Sequence, residues 1–204
     1  MLAVRDLDAS ADRLLRDHGL ASIRGGHHPA WGTANRIIPL GNTYVELLSV
    51  VDHAVGSSTH LGRTLIGLSS SGDRWFSVCL ADDDIDRTAA RLGLDVVPGS
   101  RTRPDGAVLS WRGAGIEAPA RPNWLPFFIE WNVPPELHPG RAPAEHRAAV
   151  TGIDRVDVTG DPEAMQRWLG DAHVPIDVRP GEPAGVRAVA ISTEDGDEIV
   201  LEQL

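Results

Sequence analysis

Two glutamates are the first candidates for chemistry, because each lies in the middle of an apolar, strand-like segment. Glu46 lies in YVELLSV (44–50), and Glu130 lies in FFIEWNV (127–133). Alternate residues of a strand face opposite sides, and both sides of the first segment are largely apolar. This strand should therefore be covered on both faces. Burying a carboxylate is costly unless another group pairs with it, so each acid points to a site where it has a partner or a task.

Three roles for Glu46 and Glu130 stay open at this point. As metal ligands they would offer oxygen donors to a divalent ion, with Mg²⁺, Mn²⁺ or Zn²⁺ as the candidates. As a metal-free acid/base pair they would not both ionise easily, so one pKa would rise and that acid could donate a proton. As structural residues they would be neutralised by a buried arginine or by backbone donors. The first two roles require both side chains to converge on one hollow.

Three polar residues lie near the strand that carries Glu46. His28 could supply an imidazole to a metal ion, although histidines in loops are also common as surface or packing residues. Asn35 and Arg36 are neighbours on the preceding strand, so alternation turns one of them inward. We expect Asn35 to face the ligand site and Arg36 to contact the ligand or pair with one of the carboxylates.

Arginines and tryptophans supply further candidates for ligand binding. Arg101 and Arg103 flank a turn that ends in Asp105-Gly106, where an arginine could clamp a carboxylate or phosphate group. The alternative is a solvated turn stabilised by Asp105. Flat indole rings suit a planar or apolar ligand, so Trp31 and Trp111 are predicted to wall the pocket, with core packing as the alternative for each.

The elements that position these residues form a repeat of strand, helix and three strands. The segment around Gly41-Asn42 has the signature of a hairpin turn, and it joins the strands that carry Asn35 and Glu46. The first copy has strands at 1–5, 21–26, 37–40 and 44–51, and a helix starting near 8–10 and ending at 18. The second copy has strands at 75–80, 94–98, 107–112 and 127–133, and a helix at 84–92. The motif DLD at 6–8 returns as DID at 84–86, and such self-similarity indicates repeated units.

The remaining chain is predicted to add a linker and a third, weaker copy. Residues 134–149 read as a linker, followed by strands at 153–158, 174–179, 186–191 and 198–204 and a helix from 161–162 to 170. We therefore predict an α+β fold with domains 1–133 (modules 1–73 and 74–133) and 150–204. The third copy should cover the first pair or meet its counterpart in a homodimer.

Composition narrows the partners of the chain. The formal charge of −10 and the pI near 5.2 argue against nucleic acid, which requires a basic face. No apolar run reaches the roughly 20 residues that span a bilayer, so no membrane is expected. The single cysteine, Cys79, favours a reducing compartment, and we expect a cytoplasmic protein with a small-molecule ligand.

The segment HHPAWGTANR (27–36), followed by YVEL (44–47), resembles the glyoxalase-like domain branch of the vicinal oxygen chelate superfamily. This superfamily includes glyoxalases, extradiol dioxygenases and bleomycin-resistance proteins. The resemblance implies that paired βαβββ modules curl into a cup. In metal-using members, each module contributes a histidine from its first strand and a glutamate from its last strand.

The resemblance also indicates which of those ligands this chain has. Glu46 and Glu130 match the two glutamate positions, whereas Ser77 stands at the histidine position of the second module and is predicted to contact the ligand there. The corresponding position of the first module would lie before Met1. The resemblance implies metal-dependent lyase, isomerase or dioxygenase chemistry, and a metal-free protein that sequesters a small molecule, as bleomycin-resistance proteins do, is the alternative.

Overall fold

A computed structural model of the chain describes residues 1–103 and 106–202, so Asp105 and the end of the last predicted strand lie outside the described residues. The first module consists of β1 (Leu2–Ala3), α1 (Leu7–His18), β2 (Ile23–His28), β3 (Thr33–Leu40) and β4 (Thr43–Val50). It is followed by α2 (His53–Gly56) and α3 (His60–Ser69). The second module consists of β5 (Arg74–Trp75), β6 (Cys79–Ala81), α4 (Ile85–Leu92), β7 (Val96–Thr102), β8 (Val108–Ala114) and β9 (Phe127–Trp131).

The third unit consists of β10 (Val150–Thr159), α5 (Pro162–Leu169), β11 (Ile176–Arg179), β12 (Gly185–Thr193) and β13 (Glu198–Glu202). The predicted α+β class and the order strand, helix, three strands are thus confirmed. The segment between β9 and the third unit contains two short 3₁₀ turns, Pro135–Leu137 and Pro139–Arg141. His146 fixes this segment to the first module, because its Nδ1 accepts from the Ala21 amide (3.1 Å) and its Nε2 lies 2.8 Å from the Pro39 carbonyl.

The same capping residues begin and end the helices of both modules. The Asp6 side chain accepts from two amides of the first turn of α1, and the Asp84 side chain accepts from the Arg87 amide in α4. Both helices end at a glycine with a left-handed φ, 71° at Gly19 and 65° at Gly93, which other residues adopt only with strain. These local signals explain why the repeat can be read from the sequence.

Nine strands of the two modules form one sheet in the order β5-β1-β4-β3-β2-β7-β8-β9-β6. Its two outermost strands are parts of one short stretch, residues 74–81, which we call the closing stretch. The sequence predicts one strand here, but the strand is interrupted at Phe76–Val78. As a result, β5 pairs with β1 and β6 pairs with β9. Because these few residues join both edges, the sheet must curl on itself. The hollow that it encloses is the cup.

The opposite junction of the two modules is a close approach of β2 and β7. Their described residues share one paired position, His27 with Thr102. A methyl group on the neighbouring Gly26 would lie 2.5 Å from the Thr102 carbonyl oxygen, so only glycine allows this approach.

The third unit packs on the outer face of the first module within the same chain. Val45 and Leu47 of β4 share one buried cluster with Val156 and Val189. The Trp75 indole donates to the Leu201 carbonyl at 3.1 Å. One of the two predicted arrangements is therefore present, and the homodimer stays a prediction.

The strand order shows that the third unit repeats only the order of elements along the chain. Its sheet is arranged β11-β10-β12-β13, so its first strand lies between its second and third. In the first module the first strand pairs instead with the last, β1 with β4. The weak repeat in the sequence is thus accompanied by a different sheet.

Candidate functional site

The cup contains a cavity of about 50 Å³ that combines aromatic walls with a small set of polar side chains. A space of this size holds a few water molecules or a small organic group. Trp31, Trp111 and Trp131 form much of the apolar wall. The polar groups come from both modules and are His28, Asn35, Tyr44, Glu46, Cys79 and Arg101.

Glu46 is held in the cup by the amide of Asn35. The Asn35 Nδ2 atom donates to Glu46 Oε1 at 2.5 Å, and Asn35 Oδ1 accepts from the Gly26 amide at 2.9 Å. Because a backbone amide can only donate, it fixes which end of the Asn35 side chain faces Glu46. The carboxylate therefore has one defined orientation, in which it lines the cavity.

A bulge in β2 makes room for this arrangement. The register of β2 against β3 shifts between Arg24 and Gly26, which leaves Gly25 as the extra residue. A methyl carbon placed on Gly25 would lie 1.9 Å from Asn35 Oδ1 and 3.1 Å from Arg101 Nη1. The Asn35 amide and the Arg101 guanidinium therefore both pack against Gly25, in the space that a side chain at this position would occupy.

The environment of Glu46 favours the protonated acid more than water does. Burial raises the pKa of Glu46, while the hydrogen bond from Asn35 and the positive charge of Arg101 act in the opposite direction. Burial is the largest of these effects. Glu46 therefore holds its proton to a higher pH than an exposed glutamate, which suits a group that accepts a proton and returns it.

Arg101 lies in β7, although the sequence predicts it in a loop. It is only 5% exposed, and its Nη1 atom has no hydrogen-bond partner within residues 1–103 and 106–202. Burial lowers the pKa of Arg101. The other buried arginine of the described chain, Arg121, differs, because it donates to the Gly115 carbonyl (2.7 Å), the Ser77 hydroxyl (3.3 Å) and further carbonyl groups.

His28 is a neutral imidazole packed between the two modules. Its Nδ1 atom lies 3.0 Å from the Thr33 hydroxyl, and its ring contacts the rings of Trp31 and Trp111 at centroid distances of 5.7 and 6.0 Å. Burial, with a smaller effect of Arg101, lowers the pKa of His28 to about 4. The ring is therefore uncharged at physiological pH.

Glu130 does not lie in the cup, so the expected convergence with Glu46 is wrong. Its neighbours Ile129 and Trp131 line the cavity, and alternation turns Glu130 to the opposite face of β9. There it accepts from Arg112 at 3.1 Å, and Arg112 also pairs with Asp86 of α4. The second carboxylate is thus part of an ion-pair network between the sheet and α4.

The other predicted site residues divide between the cup and its outside. Asn35, Trp31, Trp111, His28 and Arg101 line the cavity; their roles toward a ligand stay predictions. Arg36 faces outward instead, where it donates to Asp8 (2.7 Å) and Ser22 (2.9 Å). Ser77 accepts from Arg121 and lines a second cavity, described below, and neither Ser77 nor Arg103 is among the residues that line the cup cavity.

The predicted metal ligands do not form a set that fits a divalent ion. Glu46 and His28 reach the cup, but Glu130 does not, and the cavity already contains the positive charge of Arg101. Among the residues that the structure describes, no three His, Cys, Asp or Glu side chains lie together as a metal site. The expected binding of Mg²⁺, Mn²⁺ or Zn²⁺ therefore does not fit the residues present.

A second cavity of about 220 Å³ adjoins the cup. It shares Tyr44, Glu46 and Trp131 with the first cavity, and Val156 and Val189 of the third unit form part of its other wall. Tyr44, Cys79 and Gly25 are site residues that sequence reasoning missed. Alternation could have identified Tyr44, which shares the face of Glu46, and the Gly25-Gly26 pair within a strand is a bulge signal.

None of the helices within the described ranges combines the length and hydropathy needed to span a bilayer.

No curated protein matches the chain. Among solved structures, a hypothetical protein from Staphylococcus aureus is similar at a TM-score of 0.69 and 16% identity, covering 91% of each chain. This likeness concerns the fold alone.

Two further solved structures show weaker likeness. A methylmalonyl-CoA epimerase variant from Streptomyces coelicolor, in complex with 2-nitronate-propionyl-CoA, has a TM-score of 0.42 and 19% identity over 65% of this chain and 94% of that one. The Mycobacterium tuberculosis methylmalonyl-CoA epimerase has a TM-score of 0.41 and 14% identity over 63% and 83%. At these TM-scores neither carries an argument about this chain.

The family model described as "Glyoxalase-like domain" matches residues 1–173, and the chain therefore belongs to the glyoxalase-like domain family.

Proposed function

We propose that this protein binds a small organic molecule in its cup without a resident metal ion, and that Glu46 exchanges a proton with that molecule. The observation that carries this proposal is the Asn35–Glu46 pair. It presents a carboxyl group of raised pKa to the cavity in one orientation. A proton-transfer reaction of the isomerase or lyase type needs such a group.

The proposed step takes place at a ligand carbon next to a carbonyl group. The C–H bond breaks, the proton forms an O–H bond on the Glu46 carboxylate, and the electron pair moves onto the carbonyl oxygen. Return of the proton to the same carbon, or to a neighbouring atom, completes the exchange. Asn35 keeps the carboxylate in place, and the tryptophan walls keep water from the reacting carbon. No step is assigned to a metal ion, since the ligand set is not assembled.

The second candidate is a protein that sequesters a small molecule without changing it. The aromatic walls favour this alternative, because Trp111 contacts both Trp131 and His28 and presents flat apolar surface to a ligand. Deuterium exchange separates the two candidates. A binder protects its ligand, whereas a proton-transfer enzyme labels it.

The test is solvent deuterium uptake by small carbonyl acids, with pyruvate and 2-oxobutanoate as probes, followed by proton NMR in D₂O. We expect the wild-type protein to accelerate exchange, and Glu46→Gln to reduce the rate by about 10²- to 10⁴-fold, the usual contribution of general acid–base catalysis. Glu130→Gln is the matched control, since it removes the outer carboxylate. Equal loss in both variants, or full activity of Glu46→Gln, would contradict the assignment of Glu46. A rise in melting temperature without exchange would favour the sequestering protein.

We further propose that the protein acts in the cytoplasm as a homodimer, with a small-molecule ligand rather than a nucleic acid or a membrane as partner. The net charge of −10 argues against nucleic acid, and the single cysteine suits a reducing compartment. Light scattering tests the dimer, and a solution mass equal to one chain would remove it.

A further inference from the structure

We propose that Arg101 is an anion-binding residue and that the ligand of the cup is a small organic carboxylate. This inference rests on the proposed function for the place of the ligand. It adds the chemical class, namely a monoanion whose carboxylate oxygens accept hydrogen bonds from the Arg101 guanidinium.

The first argument is the unpaired N–H of Arg101. A buried guanidinium is costly unless acceptors surround it, because it loses its hydration. Arg121 shows how the same fold treats an arginine that only supports structure, since carbonyl and hydroxyl oxygens accept from its nitrogens. Arg101 is as deeply buried, yet its Nη1 atom has no acceptor among the described residues. A ligand oxygen would supply the missing hydrogen-bond acceptor for Nη1.

The second argument is the position of Arg101 relative to the cavity and to Glu46. The guanidinium lines the cavity and lies beside the Asn35 amide above Gly25. Glu46 raises the pKa of Arg101 through space, but its Oε1 atom already accepts from Asn35. An anion at Nη1 would therefore sit within the cup, next to the carboxyl group that exchanges the proton.

The charge and size of the site favour a carboxylate over a phosphate. Among the described side chains that line the cavity, Arg101 is the one cation and Glu46 the one carboxylate, and burial lowers the pKa of the nearby Met1 amino group to about 6. The site therefore suits a singly charged ligand better than a phosphate dianion. A planar carboxylate also matches the planar guanidinium through two parallel N–H···O bonds. The cavity of about 50 Å³ has room for such a group and a short carbon chain.

The experiment compares carboxylates with neutral amides of the same shape. The melting temperature of the wild-type protein is measured with acetate against acetamide and with formate against formamide, with sodium chloride holding the ionic strength constant. We expect the carboxylates to raise it by about 3–5 °C at tenfold excess over Kd, and the amides to have no such effect. Equal responses to acetate and acetamide would overturn the proposal without any variant being needed.

Two variants assign the effect to Arg101. Arg101→Met keeps the length of the side chain and removes the charge, and Arg24→Gln removes an exposed arginine from the neighbouring strand β2. We expect Arg101→Met to be at least as stable as wild type without ligand and to weaken acetate binding by about 10- to 100-fold. Arg24→Gln should bind acetate like wild type. Unchanged binding by Arg101→Met, or equal loss in both variants, would overturn the assignment.

Glu46→Gln distinguishes a failure of this inference from a failure of the proposed function. Removing the negative charge near Arg101 should leave acetate binding intact or tighten it, whatever happens to proton exchange. Exchange activity toward pyruvate without any preference for carboxylates over amides would leave the proposed function standing and refute the anion site. Acetate binding without proton exchange would do the reverse.

Discussion

The substitution Gly25→Ala tests the geometry of the site most directly. Its new methyl group would lie 1.9 Å from Asn35 Oδ1, well inside the distance that real carbon atoms tolerate. The backbone at Gly25 does not have a left-handed φ, so any effect of the change arises from this collision. Asn35 must move, and both hydrogen bonds of its side chain must lengthen or break.

The size of the effect follows from those two bonds. The bond from Gly26 to Asn35 links neutral groups and contributes about 0.5–1.5 kcal/mol, while the bond to Glu46 contributes about 1.5–3 kcal/mol when the acid is charged. Alanine offsets about 0.4–1 kcal/mol by restricting the unfolded chain. We therefore expect the free energy of unfolding to fall by about 1–4 kcal/mol. For a protein of this size, the melting temperature should fall by about 3–12 °C.

Calorimetry and urea unfolding measure this change, with Gly67→Ala as the matched control. Gly67 lies in the exposed part of α3, and a methyl group there would meet nothing within 4 Å. Alanine at that position should stabilise the protein by about 0.5–1 kcal/mol, as is usual in a helix. The same direction of change in both variants, or an unaltered Gly25→Ala protein, would refute the proposed packing of Asn35 against Gly25.

Three further predictions concern titration and the third unit. The pKa of folded Glu46 is raised, so the contribution of this residue to stability is complete at low pH and is lost as the pH rises. Above pH 4.5, the ordinary pKa of a glutamate, Glu46→Gln should therefore become more stable relative to wild type. A pH-independent difference in melting temperature would contradict this. The pKa of His28 is lowered from 6.5 to about 4, so its contribution is complete above 6.5 and is lost as the pH falls. Wild type should therefore lose about 3 kcal/mol relative to His28→Gln by pH 4 in urea unfolding, and parallel curves would contradict it. Trp75→Phe leaves the Leu201 carbonyl without its indole donor and should lower the free energy of unfolding by about 1–3 kcal/mol; an unchanged value would argue against this contact in solution.

The parts of the fold that local signals determine were predictable from the sequence. The Asp84 cap, the glycine that ends α1 and the Gly41-Asn42 turn each act through neighbouring residues. The first helix was expected to start near residues 8–10, whereas it begins at Leu7 with Asp6 as its cap. The break in the closing stretch and the strand order of the third unit were not predictable in this way. Both depend on which strands pair across the whole chain, and no local pattern records that choice.

The candidate site was predictable only in part, for a similar reason. Alternation correctly turned Asn35 inward, because Arg36 had a partner outside, Asp8. It could not decide the face of Glu130, since Ile129 and Trp131 on one side and Phe128 on the other are equally apolar. Packing of α4 on the side of Phe128 made that the outer face. Arg101 was expected in a turn because Asp105-Gly106 follows closely, but β7 extends to Thr102 and carries the arginine into the cup.

The way in which the nine-stranded sheet closes also decides where it opens. At one side, β5 of the second module pairs with β1 of the first at two positions, and the Phe76 amide adds a bond to the Met1 carbonyl. At the other side, the described residues of β2 and β7 share only the pair His27–Thr102. The junction of β2 and β7 thus has fewer main-chain pairs than the other junction of the two modules, and it lies next to His28 and Arg101. We therefore expect an incoming molecule to enter the cup at this junction, where it meets the Arg101 guanidinium.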